Sequence, residues 1–350
     1  MSWVTELARP EIVSLEAYQN AAWEPNLTRH NANELPWRVP GDDSCAGLNR
    51  YPEPPSNALL HRLAALYEVA EDRVLATRGS DEAIDLLIRA FCRCGSDAVL
   101  VCPPTFGMYT VAARIQGAAV VSVPLRPADF SLDEAAVLRN AAPPVKIVFL
   151  CSPNNPTGNL LDEQAILRIA AQLAGRALVV VDEAYLEFAG AASLAQRIPQ
   201  QTNLCVLRTL SKAHGLAGAR LGTLIADPEI IALAGKVIPP YAITQLTVEA
   251  ASRLLDPSSS PAREERLEMI RSERQRVSCA LSSSPLVTRV WPSAANFVLA
   301  EFRDAATALL RARRADFLVR DARIHPELPQ ALRITIGASV QNTRLLAALA

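Results

Sequence analysis

The stretch Leu207-Arg208-Thr209-Leu210-Ser211-Lys212-Ala213-His214-Gly215-Leu216-Ala217-Gly218-Ala219-Arg220-Leu221-Gly222 turns on Lys212. The residues before it, Asn203 to Leu210, are apolar and β-prone. They predict a buried strand with the lysine just beyond its end, where open α/β sheets place ligands. An ammonium is seldom buried without a partner. Desolvated near other cations, it gives up its proton more readily and becomes an amine that can attack a carbonyl. Thr209, Ser211 and Arg220 add two hydroxyls and a guanidinium, the groups that grip a phosphate. Taken alone, Ser-Lys in a Gly-rich turn is also a description of a solvated lysine, because a short motif is only a hypothesis.

The neighbouring strands decide between these readings. Val145 to Cys151, apolar but for Lys146, and Ala177 to Val181 are apolar runs, as expected of parallel strands covered on both faces. The first breaks into Ser152-Pro153-Asn154-Asn155-Pro156-Thr157-Gly158, the second into Asp182-Glu183-Ala184-Tyr185. Asn155 and Asp182 are 27 positions apart, and Asp182 and Lys212 are 30 apart. That is about the length of one strand-helix-strand unit, roughly 30 residues or more. Three polar side chains therefore recur at one sheet edge, a spacing that independent core residues have no reason to adopt.

Farther out, a strand from Arg73 to Thr77 leads into Arg78-Gly79-Ser80-Asp81-Glu82. Ser80 reads as a helix N-cap with acidic residues in the first turn, or else the glycine turn and free N–H groups cradle a phosphate. Ala98 to Cys102 ends in Pro103-Pro104-Thr105-Phe106-Gly107-Met108-Tyr109, placing an aromatic past another strand end. The spacing of Leu59, Leu60, Leu63 and Leu66 predicts a helix over Asn57 to Tyr67. Residues 1–35 read as an arm with a short helix around Pro10 to Asn20. Asn49-Arg50-Tyr51-Pro52-Glu53-Pro54-Pro55 reads as an extended loop, since residues before proline avoid the helical region.

Beyond Gly222, Thr223 to Ala226 reads as one more strand and 228–282 as mostly helical. That helical region is interrupted at Pro239-Pro240-Tyr241 and at Asp256-Pro257-Ser258-Ser259-Ser260-Pro261. The second interruption separates a large ligand-binding domain, 36–255, from a small C-terminal α/β domain, 256–350, whose strands and helices alternate.

Composition narrows the function classes. With 50% hydrophobic and 20% charged residues and a net charge of −1, the chain reads as an ordinary globular protein. No basic block points to nucleic acid, and no apolar run approaches membrane length, so a cytoplasmic protein is expected. Seven cysteines, an odd number without a C-x-x-C pair, imply reduced thiols. His30, His61 and His325 have no ligand-like neighbours, so no metal is expected.

These residues supply the parts of a pyridoxal-phosphate site. Asp182 can hold a proton on the pyridine nitrogen, Asn155 and Tyr185 can donate to the phenolate oxygen, and Phe106 can cover a ring face. Lys212, once displaced from the cofactor by substrate, can carry a proton between the substrate's α-carbon and the cofactor.

The chain resembles the histidinol-phosphate aminotransferase family, within the class I/II, fold type I aminotransferases. The matching strings are Asn31-Ala32-Asn33-Glu34, Asn49-Arg50-Tyr51-Pro52-Glu53, Pro103 to Tyr109, Cys151 to Gly158, Asp182 to Tyr185, Thr209-Leu210-Ser211-Lys212-Ala213 and Leu332-Arg333-Ile334-Thr335-Ile336-Gly337. They stand in family order over nearly the whole length.

The resemblance implies an α/β fold whose large domain has a mixed, mostly parallel seven-stranded sheet, with a small domain built from both chain ends so that the arm 1–35 joins it. It implies a homodimer with shared active sites. Lys212 becomes the Schiff-base lysine, Asp182 the pyridine partner, and Asn155 and Tyr185 the phenolate partners. Ser80, Asp81, Ser211 and Arg220 surround the phosphate, which Tyr51 reaches across the dimer interface. Arg333 takes the glutamate carboxylate and, with Arg320, the phosphate of histidinol phosphate. Tyr18 is carried over to substrate binding.

Phe106 stands where tyrosine is often found and His214 where phenylalanine is usual, and Ala242-Ile243-Thr244 fits the pattern poorly. A threonine-phosphate decarboxylase, an aromatic amino-acid aminotransferase and a ligand-sensing module built on this fold are the alternatives.

Overall fold

The computed structural model describes residues 2–24, 26–53, 57–256, 258 and 260–349. Pro54, Pro55, Pro257 and Ser259, which belong to the two proline-rich segments read above, lie outside the described residues.

Seven strands form one mixed sheet: β1 (Val74–Thr77), β2 (Ala98–Val101), β3 (Ala119–Ser122), β4 (Val145–Cys151), β5 (Leu178–Asp182), β6 (Leu204–Thr209) and β7 (Gly222–Ile225). Their order is β1-β7-β6-β5-β4-β2-β3. β7 is antiparallel to both of its neighbours, and the other pairings are parallel. The strands are apolar on successive residues, as in Ile147 to Cys151, because both faces are covered. Along β4, Val148 and Leu150 enter one core with the helices Asn57–Tyr67 and Glu163–Gln172. Ile147, Phe149 and Cys151 enter the other, with Ser80–Phe91, Met108–Gln116 and Pro228–Val237.

A smaller antiparallel sheet has the order β10 (Arg320–Asp321), β11 (Ala331–Thr335), β9 (Phe297–Phe302), β8 (Val287–Val290). It packs on the helix Ser260–Ser282 and on Ala305–Arg314 through Val277, Leu281, Val298, Ala300, Ala308 and Leu332. A fourth cluster of Ala184, Tyr185, Phe188, Leu267, Ala295 and Phe297 joins the two sheets beside the end of β5.

The arm departs from expectation. It begins with two short helices, Trp3–Leu7, capped by Ser2, and Pro10–Val13. Val4, Leu7 and Ala8 are buried with Ala83, Leu86 and Leu87 of the large-sheet layer. The start of the arm thus packs on the large sheet rather than with the small one. Polar anchors hold it there: Arg9 Nη1 donates to the Arg89 carbonyl at 2.9 Å and Lys236 Nζ to the Val13 carbonyl at 2.7 Å. The helix expected to reach Asn20 stops at Val13.

Candidate active site

The strand ends converge as the spacing implied. Asp182 is the last residue of β5 and pairs in register with Cys151 of β4 and Leu207 of β6. Their loops, together with the start of the helix Ser80–Phe91, line a cavity of about 500 Å³. Ser80, Asp81, Phe106, Asn155, Asp182, Tyr185, Thr209, Ser211, Lys212, Arg220, Arg320 and Arg333 all reach it.

Asp182 is 3% exposed. Its Oδ2 accepts from the Tyr109 hydroxyl at 2.8 Å and its Oδ1 from the Ala184 N–H at 3.1 Å. Burial pushes the carboxyl up to about 6, against the pull of these two donors and of Lys212. Lys212 lies with its Nζ 5.7 Å from the centre of the Tyr185 ring. Desolvation first, then the charges of Arg333 and Arg220, draw its proton affinity below that of an ordinary lysine, while Asp81 and Asp182 oppose them. Asn155 Nδ2 donates to the Tyr185 hydroxyl at 3.4 Å, and Asn155 Oδ1 accepts from Arg333 Nη1.

The phosphate-gripping groups gather at a helix start built by glycines. Gly79, at φ 77°, caps the helix, so Ser80 is its first residue and makes no capping bond, contrary to the cap reading. A Cβ on Gly79 would stand 2.5 Å from Arg220 Nη2, and one on Gly222 would stand 2.3 Å from the Gly79 carbonyl carbon. Arg220 lies over this turn, donating to Ser211 Oγ at 3.3 Å and to Asp81 Oδ2 at 3.2 Å. Free helix N–H groups, two hydroxyls and a guanidinium in a cradle with no room for a side chain suit a phosphate monoester.

On the opposite wall, Arg320 and Arg333 are register partners of β10 and β11. Arg333 is half-buried over the Phe297 ring, with its Cζ 5.2 Å from the ring centre. Burial lowers its proton affinity, and the guanidinium remains charged. Arg320 is exposed. Tyr51 and Tyr18 are not brought to this cavity. Tyr51 stacks on Tyr241 with ring centres 4.5 Å apart, and Tyr18 lines a second, more apolar cavity with Tyr241.

Two groups of the site were not found from sequence, Tyr109 packed behind Asp182 and His325 in the cavity lining. Tyr109 is wholly buried and stacked on Phe149 at 4.8 Å, which aims its hydroxyl at Asp182. Its only sequence signal is a position one helical turn after Phe106. His325, set aside on its neighbours in sequence, lines the cavity, and burial depresses its proton affinity.

This donor set fits pyridoxal phosphate: a carbonyl-reactive amine, a buried carboxylate ready to face a cationic ring nitrogen, two donors for a phenolate, and a phosphate cradle.

A model of the class I and II aminotransferases matches residues 16–349. The chain is similar to the histidinol-phosphate aminotransferase of Stenotrophomonas maltophilia, at 46% identity over 99% of this chain and 96% of the relative. Among solved structures, the histidinol-phosphate aminotransferase of Clostridium acetobutylicum shares the fold with a TM-score of 0.79, at 24% identity over 86% of this chain and 90% of that one. The L-threonine-O-3-phosphate decarboxylase of Porphyromonas gingivalis gives a TM-score of 0.74 at 26% identity, over 86% and 90%. With its lysine, aspartate and phosphate cradle at the strand ends where this architecture puts a ligand, the chain belongs to the class I and II aminotransferase family.

Proposed function

We propose that this chain is a pyridoxal-phosphate-dependent histidinol-phosphate aminotransferase. It exchanges the amino group between histidinol phosphate and 2-oxoglutarate, reversibly, giving imidazole acetol phosphate and glutamate in histidine biosynthesis. The observation that carries this reading is one cavity holding Lys212, Asp182, Asn155 and Tyr185 together with the paired arginines Arg320 and Arg333. Pyridoxal phosphate, when bound, supplies the electron sink for the carbanion formed at the substrate's α-carbon.

The chain's residues do the rest. Lys212 would hold the cofactor at its carbonyl carbon and, as a free amine, would take and return the proton at the substrate's α-carbon. Asp182, ionised at neutral pH, holds a proton on the ring nitrogen. Asn155 and Tyr185 donate to the phenolate oxygen, and Phe106 covers a face. Ser80, Asp81, Thr209, Ser211 and Arg220 bind or orient the phosphate. In this reading the enzyme is a homodimer whose partner completes the phosphate site with Tyr51, Tyr18 belongs to substrate binding, and the division at 255/256 separates the domains.

The two donors share an anion near the reacting amine. A guanidinium grips carboxylate or phosphate in bidentate fashion, so Arg333 is the common anchor and Arg320 the added charge for the phosphate. Arg333→Ala should damage both half-reactions, by about 2 to 5 kcal/mol where the lost contact is desolvated. Arg320→Ala should hurt histidinol phosphate more than glutamate. Single-turnover rates with each donor make the comparison, and equal losses from Arg320→Ala would refute the phosphate role. Release of carbon dioxide from threonine phosphate would move the chain to the decarboxylase reading, which the Porphyromonas gingivalis similarity keeps in view.

A further inference from the structure

We propose that His214 is a positioning residue that locks the Lys212 turn to the segment carrying Asp182 and Tyr185. The inference rests on Lys212 being the amine that acts on the cofactor. His214 stands two residues beyond Lys212 and is 6% exposed. Its Nε2 lies 3.3 Å from Glu187 Oε1, and the same oxygen accepts from Arg208 Nη2 at 2.7 Å. Arg208 Nη1 continues the chain of contacts to Glu183 Oε2 at 3.0 Å.

Each member sits beside a site residue. Glu183 directly follows Asp182, Glu187 follows Tyr185 by two positions, and Arg208, on β6, precedes Lys212 by four. The network therefore spans the exits of β5 and β6, whose relative placement sets the distance from the amine to the carboxylate.

The Glu187 end is fixed independently. Arg271 Nη2 donates to the Glu187 carbonyl at 2.8 Å, and Arg274 Nη1 donates to the carbonyls of Phe188 at 3.2 Å and Ala295 at 2.8 Å. Burial would raise the Glu187 carboxyl, but Arg208 and His214 outweigh it and hold the group at about 2. Glu187 is thus an anchored anion. The Lys212 turn, by contrast, runs into Gly215 at φ 69°. His214 Nδ1 has no hydrogen-bond partner among the described residues, so the imidazole is bound on its Glu187 side. Losing the imidazole leaves Glu187 paired with Arg208, so the fold keeps its buried ion pair. What is lost is the tie on the lysine turn.

His214→Phe keeps a buried ring and removes the contact, whereas His214→Gln keeps a donor. Amide hydrogen exchange of 211–216 in the cofactor-free chain should quicken in His214→Phe and return toward wild type in His214→Gln. In the loaded enzyme, His214→Phe should shift the pH midpoint of the bound cofactor's visible absorbance. It should also lower kcat about tenfold with KM for the donor little changed, since a small misplacement of a reacting group is costly. Unchanged exchange and midpoint in a folded His214→Phe, or a glutamine variant no better than phenylalanine, would overturn the proposal. If His214→Phe does not fold, His214→Leu, which likewise leaves the Glu187–Arg208 pair in place, is read by exchange in the same way: faster exchange supports the tie, and wild-type exchange sinks it. Borohydride reduction of the loaded wild type followed by peptide mapping tests the underlying reading separately. A label on another lysine removes the role of Lys212 while leaving the exchange result standing.

Discussion

At the scale of single residues, Asp182 is the most exposed to test. Its folded value of about 6 lies above the ordinary 3.8, so folding disfavours its ionised form. The stability it contributes is complete below the unfolded value and is lost as pH rises through about 6. The difference amounts to about 3 kcal/mol at 1.36 kcal/mol per pH unit. Asp182→Asn should therefore stabilise the cofactor-free chain more at pH 8 than at pH 5 in urea titrations, while abolishing transamination. An equal gain at both pH values would refute the assignment. Tyr109→Phe removes a donor to the ionised form and should move the same pH dependence upward. Asp182 was legible in the sequence because a β-run ended on it at a telling interval. Tyr109 was not, because what makes it functional is a hydroxyl aimed across the sheet by stacking on Phe149, and no local pattern encodes that.

At the scale of elements, the strands were readable because a doubly covered parallel strand is apolar without alternation, and Ile147 to Cys151, Leu178 to Val181 and Leu204 to Leu207 are. Of the two readings offered for the helix start at Gly79, the serine cap fails for a physical reason. A serine before acidic residues is a good cap, but the positive φ of Gly79 had already turned the chain. That turn depends on Gly222, which sits between Thr77 and Thr209 in the register of β1, β7 and β6. Gly222→Ala would put a methyl 2.4 Å from the Ser80 nitrogen, a contact with backbone that cannot rotate away. The variant should lose at least tenfold in cofactor affinity and melt at a lower temperature, since forcing atoms into a packed site typically costs about 1 to 3 kcal/mol. Equilibrium titration with pyridoxal phosphate measures it. Wild-type affinity would mean that the phosphate is gripped elsewhere.

At the scale of the molecule, one chain carries a cavity with every predicted cofactor group except Tyr51, and that residue is half exposed on a different face. On the arm and the segment after it, Tyr18, Leu35 and Trp37 expose 70%, 66% and 75% of their surfaces, an apolar display of the kind an interface covers. The arm's later residues were hard to read in sequence because the described ones form no helix or strand beyond Val13 and no apolar period marks them. If a second copy covers this face and lends Tyr51 to the phosphate, each active site takes Lys212 from one subunit and Tyr51 from the other. Lys212→Ala and Tyr51→Ala are each expected to be inactive or nearly so. Co-refolded, they form mixed dimers in which one site carries both defects and the other carries neither. Activity should then return, in proportion to the mixed dimer recovered by affinity tagging of one parent. If mixed dimers are isolated and stay as inactive as their parents, Tyr51 serves its own subunit, and the exposed aromatic face needs a different explanation.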